Sequence, residues 1–136
     1  AKRVRQHKEN HLEKTKELLN RVGLYEKRDH RASELSFGQQ KLLAIARLLA
    51  ADFSVILLDE PTVGLNAKII LQMQNIFHEI VEKDPSKIIV LVEHDMRFVS
   101  DLASWTYFMC NGRNEFEGRT DHVLGNENVR KKFLGY

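Results

Sequence analysis

The chain has a single cysteine, Cys110, so no internal disulfide can form, and within the apolar run WTYFMC that thiol reads as core filler rather than a nucleophile. Its two prolines, Pro61 and Pro85, stand where a strand and a helix stop. Long hydrophobic runs are missing: Arg47 cuts the longest well short of the ~20 apolar residues that a membrane-spanning helix needs. No signal-like apolar segment opens the chain, and it carries no internal repeat, low-complexity stretch or heptad array. These absences predict a soluble chain resident in the cytoplasm, and 136 residues at 43% hydrophobic content supply one modest core. Neither sign of charge dominates, at a formal +2, but residues 1–31 hold 10 Lys/Arg against 5 Asp/Glu while residues 32–136 hold 11 against 14. The basic segment alternates in sign, the pattern of a solvated helix face rather than of a nucleic-acid or lipid surface.

What is present is concentrated between Leu35 and Pro61. Ser36 and Gln39 stand in the S-x-x-Q relation of a capping box, which predicts a helix over 37–51 that is apolar nearly all round and therefore sandwiched. Gly38 in its first turn costs roughly 0.5–1 kcal/mol against alanine, so a missing side chain there admits something close. A plain cap and an anion site at the positive helix end both fit these residues. Val55–Leu58 is a continuous apolar run, expected to be a strand buried on both faces, and Asp59 and Glu60 end it abruptly. Carboxylates at the carboxyl end of a parallel strand sit where ligand clefts form; an acidic surface turn closed by Pro61 is the alternative.

Around this stretch, His7–Val22 reads as an amphipathic helix with Leu12, Leu19 and Val22 on its apolar side, ended by Gly23 and packed on the 37–51 helix. His7, Glu9 and His11 invite a zinc reading, but the glutamate is misplaced for H-E-x-x-H and no further ligand follows. Ile69 to Val81 marks a second amphipathic helix with Met73 and Phe77 in the core, stopped at Asp84-Pro85, and Ile88–Val92 a second apolar strand, together a parallel strand–helix–strand crossover. Glu93, His94 and Asp95 follow, with Asp95 suited to cap the next helix. Strands over 105–110 and 114–118 around Asn111-Gly112, then short helices over 120–124 and 126–134, complete the expected elements.

Taken jointly, LSFGQ at 35–39, VILLDEP at 55–61, GLN at 64–66 and VEHD at 92–95 resemble the ATP-binding-cassette ATPase family in order and spacing, over about residues 12–136. ELSFGQQKLLAIARLLA, the GLN and the ending NVRKKFLGY are most similar to the ATPase subunits of branched-chain amino acid importers. The resemblance implies an α/β fold: an incomplete P-loop NTPase (RecA-like) core with parallel strands and flanking helices, plus part of the helical subdomain. Residues 1–51 would belong to the helical subdomain and 52–136 to the C-terminal part of the core. It also implies ATP and Mg²⁺ as cofactors. Asp59 would hold Mg²⁺ through water, Glu60 would polarise the attacking water and His94 would sense the γ-phosphate. Ser36, Phe37 and Gly38 would meet the ATP carried by an opposite subunit, with Gln39 in support and Asn66 at the subunit boundary.

No G-x-x-x-x-G-K-[ST] occurs in the chain, nor the family's upstream glutamine loop and adenine-stacking aromatic, so excision from a longer protein is expected. The resemblance places the phosphate-loop strand between the 88–92 and 105–110 strands; without it, either a rearranged sheet or pairing between copies of the chain is expected. The expected function is that of a C-terminal fragment of a transporter's ATP-binding subunit, inactive in isolation, held at the inner membrane face by permease subunits and paired with a second ATP-binding subunit. The alternatives are a non-catalytic assembly module, or a cassette from a DNA-repair or translation ATPase; nucleic acid is not an expected partner.

Overall fold

The computed structural model describes residues 2–134, with side chains from 10 to 133. It divides into two compact units, Ala1–Val92 and Glu93–Tyr136. In the first, α1 (Lys2–Arg21) leads through short 3-10 turns at Tyr25–Lys27 and Ala32–Glu34 into α2 (Phe37–Ala51), β1 (Val55–Asp59), α3 (Ala67–Lys83) and β2 (Ile88–Val92). The second holds α4 (Met96–Leu102), β3 (Trp105–Cys110), β4 (Arg113–Arg119), α5 (Thr120–Gly125) and α6 (Glu127–Leu134). Each unit has its own two-stranded sheet, β1 and β2 parallel, β3 and β4 antiparallel.

In the first unit the core is made where the helices meet. α1 packs on α2 and α2 on α3, burying Val22, Leu42, Ile45, Met73, Ile76, Phe77 and Ile80. Residues 10–17 of α1 are exposed throughout, Leu12 among them at 62%. The expectation for that leucine is therefore corrected: α1 begins to be covered only around Leu18. The carboxyl ends of the helices are tied by charge around one groove. Arg21 Nε donates to Glu79 Oε2 at 2.8 Å, and Lys87 Nζ donates to Asp52 Oδ1 at 2.8 Å and to the Phe53 carbonyl at 3.0 Å. Hydrogen bonds from Lys83 and Arg21 hold the Glu79 carboxyl below its usual range, and the Lys87 ammonium does the same for Asp52.

Two expectations about burial are also corrected. β1 and β2 are not buried on both faces: Ile56 is buried, but Val55, Leu57, Ile88, Val90 and Val92 are 49–72% exposed. Side chains alternate across a strand, and in the register Val55↔Ile88, Leu57↔Val90, Asp59↔Val92 these residues share one face, which the helices of this unit leave exposed. α2 is covered on one stripe, with Leu43, Leu48 and Leu49 half-buried, rather than sandwiched all round.

In the second unit, Phe98, Val99, Val123 and Val129 form the core, with Thr106 and the buried Thr120 sharing a hydroxyl hydrogen bond of 2.8 Å. Asn111 and Gly112 carry φ of 49° and 74°, the signature of a two-residue hairpin turn. Asp95 caps α4, accepting from the Arg97 and Phe98 amides at 2.9 and 3.2 Å.

Candidate functional site

The amino end of α2 is built as its sequence dictates. Ser36 Oγ accepts from the Gln39 amide at 3.3 Å, and Gln39 Oε1 accepts from the Ser36 amide at 3.0 Å, a reciprocal capping box. Ser36 is exposed, so this positive helix end faces solvent. Gly38 is half-buried, and what comes close to it is Ile69 of α3, whose Cγ1 would lie 3.2 Å from a Cβ added there. The space left by the missing side chain is thus filled at least in part by the chain itself.

β1 delivers the carboxylates. Asp59 is its last residue, paired in register with Val92, and Glu60 extends the ladder by donating its amide to the Val92 carbonyl at 2.9 Å. Both side chains are exposed. Glu60 has φ of 42°, in the left-handed region where a non-glycine residue is strained. The chain then turns through the buried Pro61 and Thr62 to Gly64, whose φ is 75°. Asn66 caps α3, its Oδ1 accepting from the Ile69 amide at 3.0 Å. Phe37 lies over this turn: a Cβ on Gly64 would come 3.1 Å from its Cε1.

Ser36, Phe37, Gly38, Gln39, Asn66, Asp59 and Glu60 therefore all belong to the first unit, and the amino ends of α2 and α3 are in contact there. His94 belongs to the second unit, exposed, its amide donating to Glu93 Oε2 at 3.1 Å. The parts that sequence reasoning passed over are Gly64, met only as one letter of GLN, and Ile69, met only as one position of an apolar stripe; the shared signal was glycine at both points where the helix ends touch. The groove bordered by Leu48, Leu49, Phe53, Ile56 and Ile80 lies toward the opposite, carboxyl ends of α2 and α3 and takes no part in this arrangement.

Among the described residues no group of three or more His, Cys, Asp or Glu converges to hold a metal ion. His7 and Glu9 of the zinc reading lie outside the described side chains. Among the described residues no helix is long and apolar enough to cross a membrane.

Comparison with known proteins bears on what this arrangement does. The family model described as "ABC transporter" matches residues 1–63. The high-affinity branched-chain amino acid transport ATP-binding protein LivG of Escherichia coli K12 is 31% identical over 124 residues, covering 91% of this chain and 48% of LivG. The histidine transport ATP-binding protein HisP of Pseudomonas aeruginosa is 33% identical, covering 97% of this chain and 52% of HisP. The solved ADP conformation of MJ1267, an ATP-binding cassette of an ABC transporter, superposes with a TM-score of 0.79 at 29% identity, covering 93% of this chain and 51% of that one. The chain spans about half the length of the relatives it matches.

Proposed function

The chain belongs to the ATP-binding-cassette transporter family, and from that premise we propose that it is the signature-helix and acidic-strand portion of an ATP-binding subunit serving an amino acid importer. The observation that carries this reading is the joint placement, in one unit, of a solvent-facing capped helix end at Ser36 and exposed carboxylates at the end of β1. In this reading residues 1–51 are part of the helical subdomain and 52–136 part of the core. The names of the relatives support an amino acid or amino-acid derivative as the solute: branched-chain amino acids, arginine, histidine and octopine. The branched-chain class is favoured by the segment ELSFGQQKLLAIARLLA, by the GLN at 64–66 and by the ending NVRKKFLGY.

The residues present fit Mg²⁺ and the γ-phosphate end of ATP; the phosphate loop that ATP also needs does not occur in this sequence. Mg²⁺ keeps most of its waters and takes one or two carboxylates, which a lone exposed Asp59 satisfies without a metal cage. When bound, the ion neutralises charge on the phosphates. Glu60, at the exposed end of β1, would polarise the attacking water as its general base. Ser36 and Gly38, with Phe37 and Gln39 beside them, would meet the γ-phosphate of ATP bound by a second ATP-binding subunit through the positive helix end. Asn66 would face that subunit, and His94 takes the γ-phosphate contact by its place in the family motif. Permease subunits would hold the assembly at the membrane.

The test is a chimaera in which the matched 124 residues replace their counterpart in LivG. It should hydrolyse ATP, and Glu60→Gln should lower kcat about 10²-fold or more, the usual contribution of a general base. A folded, ATP-binding chimaera whose turnover is indifferent to Glu60→Gln overturns the assignment. The 136-residue chain alone should show no turnover above its own Glu60→Gln control.

A further inference from the structure

The amino ends of α2 and α3 meet through two reciprocal contacts, each a bulky side chain of one segment seated on a glycine of the other. Phe37, in the first turn of α2, covers Gly64 of the turn that follows Glu60. Ile69, in the first turn of α3, covers Gly38 of α2. Neither glycine tolerates a Cβ without displacement: the approaches would be 3.1 and 3.2 Å, and Gly64 carries in addition a φ of 75°. Four residues separate Glu60 from Leu65, and that turn is closed by Leu65 donating to the Thr62 carbonyl at 3.1 Å. A segment so short, held at one end by the β-ladder through the Glu60 amide and at the other by the Asn66 cap, moves with whatever grips its middle.

We propose that Phe37 and Ile69 are positioning residues: the paired contacts Phe37–Gly64 and Ile69–Gly38 clamp the Ser36 helix end to the turn after Glu60, so that the placement of the Glu60 carboxylate depends on the helix end that meets the neighbour's nucleotide. The nucleotide part of this statement rests on the function proposed above; the clamp does not. Phe37 is 56% exposed, far more than a core aromatic, so its truncation leaves the buried core intact and isolates the clamp. Its ring is gripped on one side by Gly64 and faced by the Lys41 ammonium at 5.8 Å from the ring centre.

The experiment uses the 136-residue chain without nucleotide, reading amide exchange at Glu60 and Leu65 and the side-chain carboxyl resonance of Glu60 by NMR. Phe37→Ala and Gly38→Ala should each speed exchange at those two amides about tenfold, a local opening well below the global one, and shift the Glu60 carboxyl resonance. Phe37→Tyr keeps the ring and should match the unsubstituted chain. Ile69→Ala deletes the three side-chain atoms that cover Gly38 and should likewise speed exchange at both amides, and combining it with Phe37→Ala should depart from additivity, a coupling that independent sites do not show. Unchanged exchange and an unmoved Glu60 resonance in Phe37→Ala, with α2 still folded, overturns the clamp. Because no nucleotide enters, that outcome leaves the ATPase assignment standing, and a failed Glu60→Gln test leaves the clamp standing.

Discussion

The two faces of the β1–β2 ladder are made of equally apolar residues and meet opposite surroundings. On one, Ile56 is buried and Leu58, Ile89 and Leu91 are half-buried; Ile56 borders a groove with Leu48 and Leu49 of α2 and Ile80 of α3. On the other, Leu57 is 72% exposed, flanked by Val55, Val90, Ile88 and Val92. The difference teaches that apolarity alone stabilises nothing: the free energy comes from area removed from water, about 25 cal/mol per Å², and a leucine in solvent contributes none of it. Only the helix-covered face earns its hydrophobicity in the fold of this unit.

Truncating each face breaks or sustains that comparison most directly. Ile56→Ala should lower unfolding free energy by about 2–5 kcal/mol, the range for deleting a buried aliphatic side chain, whereas Leu57→Ala should stay within about 0.5 kcal/mol. Urea denaturation of both variants measures the contrast, and equal losses would mean that the outer face is covered in solution. A smaller effect tests the helix on the covered side. Asn66→Ala removes the cap of α3 and should cost about 1 kcal/mol, with Asn66→Gly milder, by the same measurement.

The smallest effect is in the charges that pin the helical layer. Glu79 and Asp52 are held below their ordinary values of 4.5 and 3.8 by their hydrogen-bonded Lys and Arg partners. A depressed carboxyl contributes stability above its unfolded value and loses it as pH falls through its folded one. Their contribution to thermal stability should therefore be complete and constant with pH near neutrality, and the unfolding temperature should decline once pH drops below about 4.5. Lys87→Met should remove the share of that decline due to Asp52, while the share due to Glu79 persists.

Much of the arrangement was legible beforehand because it is local. The Ser36–Gln39 box, the ends of α2 at Phe37 and Ala51, β1 at Val55–Asp59, β2 at Ile88–Val92 and the Asp95 cap each follow from residues within one turn or one strand of themselves. The legibility stopped at contacts between distant segments. Gly38 and Gly64 signalled that something approaches closely, yet only the fold shows that the visitors are Ile69 and Phe37. Likewise, a run such as Val55–Leu58 records that both sides of a strand favour cover, while the side actually covered depends on where α2 and α3 pack.

The left-handed backbone at Glu60 has a consequence for anyone engineering this chain. An L-residue in that conformation forgoes about 1–2 kcal/mol that glycine would keep. A selection for thermal robustness alone would therefore drift toward Glu60→Gly, discarding the acid group to relax the main chain. Durability and the chemistry assigned to that carboxylate pull against each other at one residue.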